Sequence, residues 1–249
     1  MELPAGLLSL LQNADKILVL TGAGMSAESG VPTFRDAQDG MWSKFRPEEL
    51  ATPEAFLDHP QTVWDWYTQR RENICNVAPH AGHSALVDME PFFETLLLVT
   101  QNVDGLHQQA GSSKVIELHG NIMRSICSKT GKLIDDSWIR SNPGRPPTSP
   151  HHPQGLARPA VVWFGESLPG GAMESAMTAA LECDVCFSIG TSTLVQPAAS
   201  LPYVALNAGA VVVEINPTPT PLSTEASFTL QATASDALTA IATGLSHRN

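Results

Sequence analysis

Basic residues are scarce in this chain of 249 residues: 14 Lys and Arg stand against 25 Asp and Glu, a formal net charge of -11. So acidic a balance argues against binding a nucleic-acid backbone and suits a soluble protein. Long apolar runs are missing as well. No stretch approaches the ~20 residues that a membrane-spanning helix needs. The opening MELPAGLLSLLQNADK has neither a basic n-region nor a cleavage site, so no membrane partner and no export are expected. Cysteine is sparse, at four residues. Without a secretory signal, that number points to a reducing cytoplasm rather than a disulfide scaffold. Internal repeats are absent too. What is present, 43% hydrophobic residues, suffices for one large domain, or for a main domain with a smaller lobe.

Two of the cysteines, Cys183 and Cys186, form a CxxC where the helix-like ESAMTAALE gives way to the apolar VCFSIG. If both lay in the strand, positions i and i+3 would face opposite ways and could not share a metal, so core packing is the preferred reading.

Apolar strand candidates recur as KILVLTG (16–22), TLLLVTQN (95–102), KVIELHG (114–120), AVVWFGE (160–166), VCFSIGTS (185–192) and AVVVEIN (210–216). Helix-like segments such as HSALVDMEPF, SAMTAALE and SLPYVALNAG lie between them. Alternation of this kind, with strands apolar throughout, predicts an α/β fold: a Rossmann-like, doubly wound parallel sheet covered on both faces. SDALTAIATGLSHR reads as a closing amphipathic helix with Ser235 as its N-cap. Two stretches break the rhythm. Residues 33–76 show aromatic helix patterns and no strand, and residues 121–159 are irregular and rich in proline. The expected division is a main domain of residues 1–32, 86–120 and 160–249, with insertions 33–85 and 121–159 forming a small inserted lobe.

Polar residues gather where the strands end. Gly22-Ala23-Gly24 follows KILVLT and fits the start of a phosphate-approaching turn, with backbone N–H groups expected to face a phosphate. The acidic residue that ordinary dinucleotide sites carry about 20 positions later is missing; the chain there reads VPTFRDAQDGMW. SIGTS offers Gly190, Thr191 and Ser192. VVVEIN ends in Glu214 and Asn216, both placed to bond ribose hydroxyls. Several strand exits of this chemistry together favour a dinucleotide ligand.

The motifs GAGMSAESGVPTFRD, TQNVDGLH, ELHG, VVWFGE, GTS and EIN occur in the order and spacing of the sirtuins, the Sir2-family NAD-dependent protein deacylases, from about Ile17 to Ala234. The resemblance implies NAD as cofactor and acylated-lysine proteins or peptides as substrates. It places Gly22, Ala23, Gly24, Thr33, Phe34 and Arg35 in a cofactor loop that replaces the missing acidic residue. Gln101, Asn102 and Asp104 would line the nicotinamide and ribose site, and Gly190, Thr191, Ser192, Asn216 and Ala234 the adenosine half. His119 resembles the family's catalytic base, a role suited to an imidazole that must deprotonate a ribose hydroxyl near neutral pH. Asn102 and Asp104 resemble the residues that orient carboxamide, ribose and water. Val162, Trp163, Phe164 and Gly165 resemble the segment that pairs with the substrate peptide. His107 reads as structural, and His80 and His83 as the brace of a helix start.

QTVWDWYTQRRENI bears on the acyl group. In a helix Tyr67 and Arg70, at i and i+3, share a face with Val63 and Ile74. A phenol and a guanidinium fork converging there could bind a carboxylate. Spacing alone equally allows a solvated face with Arg70 or Arg71 paired to Glu72 or Asp65. Tyr67, Arg70 and the small Ala51 resemble the class III sirtuin subgroup of bacterial type, which removes succinyl and malonyl groups; acetyl-lysine stays a possible substrate. Most sirtuins also carry two cysteine pairs on a structural zinc. Here that interval keeps Cys127 alone, and His151 and His152 bring the donors to three at most, so no zinc is expected. Two other readings remain open: NAD-dependent ADP-ribosyl transfer to a protein, and an acyl-lysine- or NAD-binding module without turnover. Oligomeric state cannot be read from the sequence.

Overall fold

The structure is a computed structural model, and residues 1–32 and 47–247 are described. Its strands are β1 (Lys16–Thr21), β2 (Thr95–Thr100), β3 (Val115–Glu117), β4 (Gly120–Cys127), β5 (Leu133–Ile134), β6 (Ala157–Val161), β7 (Val185–Ile189), β8 (Val211–Ile215) and β9 (Phe228–Leu230). The helices are α1 (Leu7–Leu11), α2 (Ala23–Ala27), α3 (Pro47–Leu50), α4 (Pro53–Asp58), α5 (Pro60–Cys75), α6 (Ala81–Met89), α7 (Leu106–Ala110), α8 (Asp136–Ser141), α9 (Ala172–Glu182), α10 (Leu201–Asn207) and α11 (Ala234–Ser246).

Six strands form one sheet in the order β3-β2-β1-β7-β8-β9, and every neighbouring pair is parallel. Parallel neighbours need crossovers, and here helices cover both faces. One face packs Val19, Phe187 and Val213 against α6 and α11; the other packs Leu18, Cys186 and Val212 against α9 and α10. Burial on both sides explains why these strands are apolar throughout rather than alternating. Chain order reverses between β1 and β7, so their carboxyl ends part and leave a crevice, the place where doubly wound sheets take ligands.

Five of the six expected strands enter this sheet. AVVWFGE does not: its strand portion ends at Val161, and β6 pairs antiparallel with β4 in a separate sheet ordered β5-β4-β6. The stretch read as irregular thus contains strands. Their alternation is broken by an irregularity in register between Asn121 and Ser125, where Met123 and Arg124 face solvent. The short β9 was not expected at all. At α11 the N-cap is Thr233, whose side chain accepts from the Asp236 N–H at 3.2 Å, and not Ser235. Ser235 instead lies in the first turn, its hydroxyl 2.7 Å from His80 Nδ1.

Helix α5 packs Val63, Trp66, Tyr67 and Ile74 against Ile122, Val161 and Trp163. Arg71 fastens it to β4, donating to Ile122 O (2.6 Å), Arg124 O (3.0 Å) and Ser125 Oγ (3.1 Å). Asp65 on the same helix takes both arms of Arg145. Neither arginine of α5 therefore uses Asp65, one of the two acidic partners that spacing allowed.

Candidate active site

The crevice floor is built by backbone approach. Gly22 donates to Ile189 O at 3.0 Å and Gly24 to Gly190 O at 2.8 Å. A Cβ at Gly24 would stand 2.8 Å from Gly190 Cα, and Gly190 itself has φ +59°, which favours glycine. The N–H groups of Gly22 and Gly24, expected to face a phosphate, are thus bonded to β7's exit, and the two glycines allow the close packing of these turns. Ala23 opens α2 with Gly22 as its N-cap. Thr33, Phe34 and Arg35 lie outside the described residues.

Polar side chains from several exits meet above this floor. Asn102, just past β2, donates through Nδ2 to Gly22 O (2.9 Å) and Ser26 Oγ (3.0 Å). Both amide hydrogens are used, so Oδ1 remains as an acceptor. Ser26 donates to Asp104 Oδ2 at 2.7 Å, and the Leu106 N–H bonds Oδ1 at 2.9 Å. Burial raises the Asp104 pKa above the ordinary carboxylate value, with these two bonds pulling against it. Ser26 was not singled out in the sequence, although it lies inside GAGMS, four residues after Gly22. Gln101 Nε2 donates to Thr191 Oγ1 at 3.1 Å, and Asn216 Nδ2 to Thr191 O at 3.0 Å, which ties the exits of β2, β7 and β8 together. Ser192 follows in the same loop. Ala234 is buried at the first position of α11, beyond the exit of β9. Glu214 departs from expectation: it is buried and accepts from the Thr220 and Ser223 hydroxyls, so it anchors a turn and does not face the crevice.

His119 follows β3, with Nδ1 3.0 Å from Gln101 O. A carbonyl only accepts, so Nδ1 carries the proton and Nε2 keeps its lone pair. Burial lowers the pKa below 6.5, against the opposing effect of the Gln101 carbonyl, and keeps the ring neutral at physiological pH. Behind the crevice, His83 and His107 are buried with ring centroids 4.9 Å apart. Burial lowers them to about 3 and about 4 respectively. His107 Nε2 lies 3.0 Å from Thr21 Oγ1, and Thr21 donates to Thr100 Oγ1, which accepts the Asn102 N–H. His80 caps α6, and His83 Nδ1 accepts the His80 N–H.

A second wall adjoins His119. Val162 N–H donates to His119 O at 2.9 Å, and Phe164 N–H to Ala51 O at 2.9 Å. The 162–165 segment is thereby pinned between His119 and Ala51, which lies between α3 and α4; Gly165 has φ +86°. Trp163 is buried, and its Nε1–H donates to Tyr67 Oη at 2.9 Å. Burial pushes the Tyr67 phenol up to about 12, with Arg70 opposing, so it remains a proton donor. Arg70 Cζ lies 5.0 Å from the Trp66 ring centroid. Its Nε is buried with no hydrogen-bond partner among the described residues. Burial lowers the Arg70 pKa while Tyr67 holds it up.

The family resemblance also raises structural zinc. His151 Nε2 is engaged by Leu133 O at 2.7 Å, and His152 Nδ1 accepts the Gln154 N–H at 3.1 Å. Among the described residues, no three His, Cys, Asp or Glu side chains converge as metal ligands. Cys127, His151 and His152 do not fit a tetrahedral zinc site. Cys183 caps α9 while Cys186 is buried in β7, and burial raises both thiols. No helix among the described residues is long and apolar enough to cross a membrane.

The chain matches the Sir2 family over residues 22–197. An NAD-dependent protein deacylase of Aquifex aeolicus (strain VF5) is 52% identical over 207 residues, 83% of this chain and 85% of its own. Among solved structures, a Sir2 homolog–NAD complex is similar with a TM-score of 0.90 at 40% identity, covering 99% of this chain and 95% of that one. A Sir2 variant with a deacetylated p53 peptide and 3'-O-acetyl ADP ribose is 29% identical, with a TM-score of 0.81 and coverage of 93% and 94%.

Proposed function

The chain belongs to the Sir2 family and is an NAD-dependent protein deacylase, and from that premise we propose that it acts in the cytoplasm on lysines carrying succinyl or malonyl groups, with acetyl-lysine a further substrate. The observation that carries the acyl assignment is the buried Arg70 Nε without a partner, on the same helix face as Tyr67. A buried guanidinium N–H left unbonded costs on the order of 1–3 kcal/mol or more. An entering carboxylate would remove that cost and form charge-assisted bonds. An acetyl group offers no such acceptor at its methyl end.

The polar groups at the strand exits suit NAD: amides from Gln101, Asn102 and Asn216 and hydroxyls from Ser26, Thr191 and Ser192, above a floor of closely packed glycines. When bound, NAD would supply a ribose–nicotinamide bond that can be exchanged for one to the acyl-lysine carbonyl oxygen, with nicotinamide as the leaving group. His119 takes the proton of a ribose hydroxyl at Nε2, while the Gln101 carbonyl holds the opposite ring nitrogen. The lowered pKa keeps Nε2 unprotonated at working pH. Asn102 Oδ1 accepts from the nicotinamide carboxamide or from water, and Asp104, fixed by Ser26 and Leu106, orients them. Residues 162–165 present backbone groups to the substrate peptide, in the manner of a strand added to an edge. An acyl lysine lying along them would pass His119 on one side and reach Tyr67 and Arg70 on the other. The small Ala51 leaves room for the longer acyl group.

Mass spectrometry of acetyl-, malonyl- and succinyl-lysine peptides, with and without NAD, tests this reading. The expected result is NAD-dependent loss of all three groups with O-acyl-ADP-ribose and nicotinamide formed, and higher kcat/KM for the two acidic acyl groups. Acetyl-only turnover would overturn the acyl assignment and leave the deacylase. Transfer of ADP-ribose to protein without deacylation would favour the transferase reading.

A further inference from the structure

We propose that Trp163, held by the Arg158–Glu166 ion pair, is a positioning residue for acyl selectivity: its indole N–H occupies an acceptor site of the Tyr67 oxygen and directs the phenolic proton to the substrate's carboxylate. The inference rests on the acidic-acyl reading above and deepens it.

The hydrogen-bond inventory of the two side chains forces the direction. An indole nitrogen can only donate, whereas a phenol both donates and accepts. The 2.9 Å contact therefore makes Tyr67 Oη the acceptor. The phenolic proton must then go elsewhere, and no acceptor for it is found among the described residues. The charged neighbour on the same helix face, Arg70, is itself a donor. Tyr67 O–H and Arg70 Nε–H are thus two donors on one wall, both short of an acceptor, which is the complement of a carboxylate rather than of an amide or a methyl group.

Trp163 is in turn fixed with little freedom. Arg158 Cζ lies 3.3 Å from its ring centroid. The Arg158 guanidinium is bidentate to Glu166, at 2.6 Å and 2.8 Å, and also donates to Val161 O at 2.9 Å. Glu166 Oε2 accepts the Trp163 backbone N–H at 2.9 Å. Phe56 packs on the indole with centroids 5.3 Å apart. The pair also neutralises Arg158, whereas Arg70, the cation that acts most strongly on the Tyr67 phenol, has no carboxylate partner among the described residues. A phenylalanine at position 163 would keep the packing and lose the directing N–H, leaving the Tyr67 hydroxyl to rotate.

The test is a double-mutant cycle with matched succinyl- and acetyl-lysine peptides, read as the ratio of their kcat/KM values. Trp163→Phe should lower the succinyl-to-acetyl ratio by roughly 3- to 10-fold, the scale of one neutral hydrogen bond, through KM of the succinyl peptide. In a Tyr67→Phe background the same substitution should leave the ratio where Tyr67→Phe alone sets it. Glu166→Gln, a second variant that loosens the clamp without removing the indole, should shift the ratio the same way by less, and again only when Tyr67 is present. Equal losses on both peptides, or a ratio drop that persists without the Tyr67 hydroxyl, would overturn the positioning role and leave Trp163 as packing. A wild-type protein with no succinyl activity would instead sink the reading beneath it, and the proposal with it, before any Trp163 variant is measured.

Discussion

The crevice at the strand exits and the wall formed by α5 with residues 161–166 differ in how their polar groups are satisfied. In the crevice, Asn102, Ser26, Asp104, Gln101 and Thr191 bond one another and the backbone, and His119 is anchored through one ring nitrogen. On the wall, Arg71 is bonded to β4 through Nε and Nη2, while its neighbour Arg70 keeps a buried N–H without a partner and Tyr67 keeps a proton donor without an acceptor among the described residues. Adjacent arginines on one helix thus have opposite fates. The crevice satisfies its polar groups within the protein, whereas the wall keeps donors without an acceptor among the described residues; on the function proposed above, the first serves a reaction common to every acyl group and the second a carboxylate that only certain acyl groups bring.

The strongest way to break this comparison is at His119. His119→Ala should lower turnover by roughly two to four orders of magnitude, the scale of losing a general base, and by the same factor for acetyl, malonyl and succinyl peptides. NAD binding, read by calorimetry, should persist. A loss confined to one acyl group would show that the two regions are not separable as described. A smaller effect concerns the histidines behind the crevice. His83 and His107 have folded pKa values of about 3 and about 4, below the ordinary 6.5, and His119 shifts the same way. The unfolded chain therefore binds these protons first as pH falls below 6.5, and stability is lost progressively down to about pH 4 for His107 and about pH 3 for His83. Each group costs at most ~1.4 kcal/mol per pH unit in that window. Melting scans should show Tm falling by several degrees between pH 6.5 and pH 5, with a shallower slope in His107→Gln. A flat profile would mean that these rings are protonated or solvated in the folded state.

Much of the crevice was legible because its signals are local. Apolar runs marked β1, β2, β3, β7 and β8, and the polar residues that matter stand directly at their ends. What could not be read depended on where the chain turns and bulges and, in one case, on a contact made far along it. β4 hid because its alternation breaks between Asn121 and Ser125. The N–H groups of Gly22 and Gly24 looked available for phosphate because Gly190, more than 160 residues on, was not known to approach them. Glu214 looked like a ribose ligand until Thr220 and Ser223 closed on it, and Thr233 took the cap assigned to Ser235 because the chain turns two residues earlier. On the wall, spacing put Tyr67 and Arg70 together but left the ion-pair alternative open. The structure gives Asp65 to Arg145 and β4 to Arg71. That leaves Arg70 as the arginine of α5 with an unsatisfied buried nitrogen.

Arg70→Met tests that claim most directly, with KM and kcat measured on acetyl- and succinyl-lysine peptides of one sequence. Removing one partner of a desolvated charge pair costs about 2–5 kcal/mol, so succinyl kcat/KM should fall by roughly one and a half to four decades, mostly through KM. Acetyl turnover should change little, because its acyl group offers no acceptor to the guanidinium and methionine keeps most of the apolar stem. Equal losses on both peptides would contradict the account and make Arg70 a structural residue of α5.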